Sequence, residues 1–245
     1  MRSIYEHICF YDFEAATDTS PHTCYSVSFA LDDEPVQSFW GMNCARRFLE
    51  QLPDNTLAIA HNCSYDISFI IDLLTSIYSN PIIKNGRVLL IKGTYKIKVY
   101  EDHKWQDRVN HITFKDSYAI IPKPLRLFPE MFYLDSGRKE VFPYDYYNST
   151  NIRLLYGSIN EALEFIPINE HQHFLTNIDE LGCRYKNDLF NIRTYATFYN
   201  EQDVLILKQG FNKFRELLLN QFNLDAFNFV SISSIANRYM ELNCY

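Results

Sequence analysis

The stretch CFYDFEAATD, Cys9 to Asp18, places two carboxylates inside a run that otherwise reads as a buried β-strand. Residues i and i+2 of a strand point to one face, so Asp12 and Glu14 stand side by side if the strand continues through them. Adjacent carboxylates repel each other and lose hydration on burial, so such a pair calls for a shared cation or a shared proton. If the strand ends at Asp12 instead, both side chains are simply solvated. The stretch alone leaves these two readings open.

Composition narrows the class. The formal net charge of −7 argues against broad electrostatic capture of duplex nucleic acid, but it is compatible with a nuclease whose carboxylates are neutralised by metal ions. Cys9, Cys24, Cys44, Cys63, Cys183 and Cys244 form no CxxC pair and show no regular spacing, so neither a zinc site nor a disulfide framework is expected. The opening MRSIYEHICFYDFE runs straight into the acidic strand without the apolar core of a signal peptide. No apolar run reaches membrane-spanning length, so no membrane partner is expected. The setting that fits is intracellular and reducing, with the compartment left open between cytoplasm, nucleus and mitochondrion.

Outward from the first strand, read as His7 to Phe13, Thr23–Leu31 alternates apolar and polar residues, and Val36–Gly41 follows the acidic turn DDEP. That pattern predicts a β-meander. Asn43 is placed to cap a short helix running to Leu52, and Thr56–Ala60 reads as a short apolar strand. The segment His61–Tyr78 has helical periodicity in Ile67, Phe69, Ile70, Leu73, Leu74 and Ile77. Three more strands are predicted at Val88–Lys92, Tyr95–Tyr100 and Val109–Asp116, the first two separated by a turn at Gly93 and Thr94. The segment Ser136–Thr150 reads as loop, Asn151–Lys186 as mixed helical pieces, and Leu189–Phe222 as one long helix. The sum is a mixed sheet of about five strands with helices packed on it, an α/β domain. No Gly-rich loop follows the first strand, so a Rossmann or P-loop phosphate cradle is excluded, and a ribonuclease-H-like mixed sheet flanked by helices fits better.

Two further acids join the pair. Asp66, in HNCSYD, falls in the opening turn of a helix after a strand, where the helix dipole favours a carboxylate. Tyr199 and Asp203, in FYNEQDVLILKQGF, are four apart on the long helix and share a face. Each is commonplace alone. Together they form an ordered set of four carboxylates, enough to hold two divalent cations roughly 3.5–4 Å apart, with a tyrosine beside them.

These motifs resemble Exo I, Exo II and Exo III of the N-terminal 3′–5′ exonuclease domain of family B DNA polymerases, in the protein-primed branch of phages, adenoviruses, linear plasmids and Maverick-type elements. Asp12, Phe13 and Glu14 resemble Exo I. Asn62, Tyr65 and Asp66 resemble Exo II, and Tyr199 with Asp203 resembles Exo III. KDSYAIIPKPL, Lys115 to Leu125, is similar to the family's Ser/Thr-Leu motif for single-stranded DNA, with Ser117 as the contact. RKEVFPYDYY, Arg138 to Tyr147, is similar to its Lys-x-x-hydrophobic motif, with Lys139 and Phe142 in the named positions.

The resemblance implies two divalent metal ions, Mg²⁺ or Mn²⁺, held by Asp12, Glu14, Asp66 and Asp203. Tyr199 would orient the attacking water, and Lys139 would stabilise charge at the scissile phosphate. His61, Asn62, Tyr65, Ser117 and Phe142 would meet the 3′ end of single-stranded DNA. Two positions depart from the pattern: Ala15 stands where several relatives carry a Thr that helps hold the 3′ end, and Tyr118 replaces the usual Leu.

The resemblance implies an exonuclease domain over 1–222 and, over 223–245, the start of a segment leading to a polymerase domain. No SLYPS-like motif, K-x-x-x-N-S-x-Y-G or Y-x-D-T-D occurs, so the chain is expected to lack the polymerase centre. A polymerase domain or a terminal protein is then an implied partner in the parent enzyme. The alternatives are a free-standing DEDD-type 3′–5′ exonuclease and a non-catalytic single-stranded-DNA-binding remnant of a mobile element.

Overall fold

The computed structural model describes residues 3–134, 140–186 and 188–243. β1 (His7–Ala16) is longer than its apolar run, because it continues through Asp12 and Glu14 to Ala16. It forms an antiparallel meander with β2 (Thr23–Leu31) and β3 (Gln37–Trp40). α1 (Cys44–Gln51) follows; Asn43 precedes it but makes no side-chain cap. β4 (Thr56–Ala60) then lies parallel to β1. After the short α2 (Ser64–Ile67) come β5 (Ser76–Ile77), β6 (Ile82–Lys84), β7 (Arg87–Glu101) and β8 (Lys104–Asp116).

The main sheet has eight strands in the order β3-β2-β1-β4-β8-β7-β5, with β6 also paired to β7. β8 is parallel to β4. A meander followed by two parallel strands, with helices on both faces, is the ribonuclease-H-like arrangement the sequence led us to expect.

Two expectations for the middle of the chain need correction. Gly93 and Thr94 make no turn: they lie inside the single strand β7, paired with Ile112 and His111 of β8. Gly93 serves close packing, since a Cβ there would meet Leu74 Cδ1 at 2.7 Å. The helical pattern of 61–78 survives only in α2 and one 3₁₀ turn at Ile71–Leu73. Beyond it the backbone pairs with β7, as Thr75 N–H donates to Thr94 O and Tyr78 N–H to Lys92 O. Sheet-edge pairing outweighed the local periodicity.

The strict alternation of β1 fixes the layers. Its odd residues Cys9, Tyr11 and Phe13 pack with Phe48 and Leu49 of α1 and with Ile67 and Ile70. Its even residues face the long helix, and Phe10 meets Phe211 at 5.8 Å between ring centres. Asp12 and Glu14 share that even face. Their cross-strand partners on β2 are Ser28 and Ser26. Ser28 bonds Ser38 of β3, which donates to Glu201 of the helix.

The remaining elements are α3 (Phe128–Phe132), β9 (Tyr156–Ser158), α4 (Ile159–Leu163), α5 (His171–Glu180), β10 (Arg184–Tyr185), β11 (Leu189–Asn191), α6 (Ile192–Phe222) and α7 (Ile232–Asn243). β10, β11 and β9 form a second sheet that the helical reading of 151–186 did not anticipate, and β11 takes Leu189–Asn191 from the start of the expected long helix. The loop reading of 136–150 falls partly on residues 135–139, outside the described ones.

α6 is the expected long helix. The Asn191 side chain accepts from Thr194 N–H at its start, and Asn223, at φ 53°, closes it in the left-handed conformation. Its buried positions, among them Tyr195, Tyr199, Asp203, Val204, Leu207 and Phe211, recur at helical spacing. Beyond it, Leu224, Ala226, Phe227 and Ile235 join the core that α6 makes with β1 and β4. Lys115 of β8 is buried and donates to Phe227 O, and burial lowers its ammonium to about 7.

Candidate active site

The sheet and α6 bring three of the predicted acids together. Asp12 and Glu14 project from β1 and Asp203 from α6, and one oxygen of each lies within 4.8 Å of the others. Glu14 and Asp203 are buried and Asp12 is half-buried. Three carboxylates this close cannot all be ionised without a large electrostatic cost unless positive charge joins them.

Asp66 stands outside that group of three but borders it. α2 sets its carboxylate against β1, where Oδ1 accepts from Phe13 N–H at 3.0 Å, between the two strand acids. Burial pushes the Asp66 carboxyl well above the usual range, and the charge of Asp12 adds to the effect. The Phe13 hydrogen bond opposes this shift.

Tyr199 lies one helical turn before Asp203 and is also buried. Its ring stacks on Phe142, with centroids 4.3 Å apart, and its hydroxyl meets that of Tyr144. Burial, followed by the charges of Asp203 and Glu14, raises the phenol far above its ordinary value, so Tyr199 keeps its proton. Phe142, buried beneath Tyr199 and also stacked on Tyr147, meets protein rather than solvent. Lys139 lies outside the described residues.

The turn after β4 carries the other predicted contacts. Asn62 is exposed and adopts φ 67°, a left-handed conformation that Asn tolerates. The turn is held by Asp116 at the end of β8, whose Oδ1 accepts from the N–H groups of Asn62 (2.9 Å), Cys63 (3.3 Å) and Tyr118 (3.0 Å). Ser117 is fully buried; its Oγ lies 3.0 Å from Ala60 O and 2.8 Å from His61 Nδ1. His61 Nε2 donates to Lys123 O at 3.0 Å.

Tyr65 is different, because its ring is 37% exposed. Its hydroxyl bonds His22 Nδ1 at 3.1 Å, and its ring meets Phe69 in a T-shaped contact. Partial burial, then the charges of Glu14 and Asp66, raise its phenol to about 12, which puts it within the field of the acids.

Three residues of this region were not singled out from sequence. Asp116 adjoins Ser117 and Tyr144 lies two residues past Phe142, both inside quoted motifs, yet only the folded chain brings their polar groups to the site. Asn200, next to Tyr199 on α6, is fully buried, and its amide meets no hydrogen-bond partner among the described residues.

A ribonuclease-H-like sheet carrying clustered acids on its first strand and on the long helix across it defines the class of this chain. Its family follows from comparison: the family model of DNA polymerase type B, organellar and viral, matches residues 50–245, and the chain belongs to that family. It is 24% identical over 206 residues to a probable DNA polymerase of Neurospora intermedia, a match covering 82% of this chain and 20% of that protein. It is 25% identical over 177 residues to a probable DNA polymerase of Ascobolus immersus, covering 71% and 14%. The chain thus spans a fifth or less of the length of these relatives.

Among solved structures it resembles Phi29 DNA polymerase complexed with single-stranded DNA, with a TM-score of 0.57 and 13% identity over 97% of this chain and 35% of that one. The same polymerase complexed with primer-template DNA matches at a TM-score of 0.56 and 13% identity, again over 97% and 35%. At that identity the likeness shows the fold.

Proposed function

We propose that this chain is the exonuclease portion of a protein-primed family B DNA-directed DNA polymerase, hydrolysing the last phosphodiester at a DNA 3′ end. The observation that carries the reading is the convergence of Asp12, Glu14 and Asp203 within 4.8 Å, with the buried Asp66 beside them. On this reading 1–222 is the nuclease domain and 223–245 begins the connection to a polymerase domain in the parent enzyme, where a terminal protein would be a further partner.

The donor set suits hard divalent cations. Every candidate ligand is a carboxylate oxygen, and the acids stand close enough that cations would relieve their mutual repulsion. Asp12, Glu14, Asp66 and Asp203 would hold two Mg²⁺ or Mn²⁺ ions. Such a pair would lower the pKa of bound water and neutralise charge developing on the phosphate.

The chain's own groups do the rest. Tyr199 stays protonated, so it acts as a hydrogen-bonding group that orients water rather than as a base. Its ring is fixed by Phe142 and its hydroxyl by Tyr144, which limits the positions that water can take. Tyr65 is partly exposed, so an unpaired base of any identity could stack against its ring. Asn62 would meet the strand from its exposed turn. His61 and Ser117, bonded to each other, would shape the floor beneath it. Phe142 contributes through Tyr199. Lys139 would meet the scissile phosphate with its charge.

The test is incubation of the chain with 3′-labelled single-stranded DNA and Mg²⁺ or Mn²⁺, beside an Asp12→Ala/Asp66→Ala control. Labelled nucleoside monophosphate should appear with the wild-type chain and not with the control. Release that persists in the double variant would sink the site assignment.

A further inference from the structure

Five cysteines are described, all as free thiols. Three are sealed in the interior: Cys9, Cys63 and Cys183 are buried, and burial raises each thiol above its ordinary range. A thiol held protonated in an apolar core is inert.

The other two differ. Cys24 comes from β2 and Cys44 opens α1, and their sulfurs lie 3.2 Å apart. Cys24 is half-buried and lines a cavity of about 570 Å³ together with His22, Asn43, Arg46 and Phe69. Cys44, fully buried, lies directly behind it. The strand residue opposite Cys24 is Ala15, immediately after Glu14, so the pair sits one step from the acidic cluster.

We propose that Cys24 and Cys44 are a redox-active dithiol that a small hydroperoxide entering this cavity converts to an intramolecular disulfide. Three features favour it. The sulfurs are nearly in bonding position, needing to close from 3.2 Å to about 2.05 Å. They lie on two separate elements that a bond would join, closing a loop of 20 residues. Finally, burial raises the Cys24 thiol but its hydrogen bond lowers Cys44, so Cys24 differs from the sealed cysteines in having a base 3.2 Å away that can take its proton.

The chemistry balances. At rest the shared proton sits on Cys24 and the charge on Cys44, and Cys44 takes that proton as Cys24, the sulfur that faces the cavity, becomes the thiolate. That thiolate attacks hydrogen peroxide: an S–O bond forms, the O–O bond breaks, and hydroxide leaves. Cys44 Sγ then attacks Cys24 Sγ. The S–S bond forms, the S–O bond breaks, and the departing hydroxide leaves as water. Counting the Cys44 proton and the proton first released, two thiols and one peroxide give one disulfide and two waters. The chain is oxidised by two electrons and the peroxide is reduced by two.

Native chain carrying Cys244→Ser, which removes the cysteine outside the described residues, is treated with a few equivalents of hydrogen peroxide. It is then digested at acidic residues, since Asp32, Asp33 and Glu34 separate the two cysteines and no Lys or Arg does. The expected product is a crosslinked Cys24–Cys44 peptide pair with the loss of two hydrogens. The thermal midpoint should rise by on the order of 5–10 °C and return on treatment with dithiothreitol. Cys24→Ser should abolish both the crosslink and the shift. Stable sulfinic or sulfonic acid at Cys24, intermolecular disulfides, or unmodified thiols under conditions that oxidise free cysteine would overturn the proposal.

Discussion

The two ends of α6 handle buried acids in opposite ways. Toward its C-terminal half, Arg215 meets Asp225 through two hydrogen bonds of 2.7 and 2.8 Å, and Phe227 N–H adds a third to the same carboxylate. Asp225 is as buried as any acid in the chain, yet its charge is answered in full by a planar guanidinium. Toward its N-terminal half, the same helix presents Asp203 to Glu14 and Asp12, carboxylate against carboxylate. The first arrangement completes itself and anchors the segment that follows the helix. The second gathers negative charge in one place and, on the proposed reading, would be completed by divalent cations. Burial of acids therefore does not mark a site; what the acids face does.

Asp203→Asn should lower the rate of 3′-end hydrolysis by about 10³-fold or more, a loss of about 4 kcal/mol of transition-state stabilisation. Denaturant unfolding of the same variant should show a loss of stability smaller than that of Arg215→Ala, because the substitution also removes one charge from the acidic group. Arg215→Ala should do the reverse. It leaves Asp225 buried without its partner and should cost about 3 kcal/mol in urea unfolding, while hydrolysis per folded molecule stays near wild type.

Asp66→Asn probes the cost of the cluster itself. Asp66 has a raised carboxyl, so the folded chain binds that proton more tightly than the unfolded chain does. Stability should therefore fall as pH rises from the ordinary value of 3.8 through the raised one. In a metal chelator at neutral pH, Asp66→Asn should gain about 1 kcal/mol and flatten that pH dependence, since an amide oxygen can still accept from Phe13 N–H. A loss of stability at neutral pH would show that the carboxylate is satisfied as it stands.

The smallest expected effect belongs to Tyr144→Phe. Removing the hydroxyl that meets Tyr199 should reduce hydrolysis by a few fold, equivalent to under about 1 kcal/mol, with no change in unfolding midpoint. No change in hydrolysis at all would mean that the Tyr199 hydroxyl is positioned without it.

Much of this was legible in the sequence. The acid pair at spacing two, the meander and the long helix with Tyr199 and Asp203 on one face all follow from periodicity, and they are found in the fold. The regions that misled have physical reasons. The pattern of 61–78 is helical, but β7 offers an edge, and Thr75 and Tyr78 take its hydrogen bonds. Gly93 reads as a turn signal, whereas it lies in a strand because Leu74 occupies the space of its missing side chain. The second sheet is built from strands of two and three residues, too short to show alternation. Within the site, the strand and helix acids could be placed by spacing. The roles of Asp116, Tyr144 and Asn200 depend on contacts between distant segments, and a single sequence does not encode those visibly. Phe142 came from motif resemblance as a DNA contact, while the fold sets it beneath Tyr199.

On the proposed reading, divalent cations complete the clustered carboxylates. Titration of the wild-type chain with Mn²⁺, followed by the electron paramagnetic resonance of the free ion, tests it most directly. Binding of two ions per chain, abolished in Asp12→Asn/Asp203→Asn and unchanged in Arg215→Ala corrected for folded fraction, is the predicted result. Wild-type binding no stronger than that of the double variant would contradict the claim.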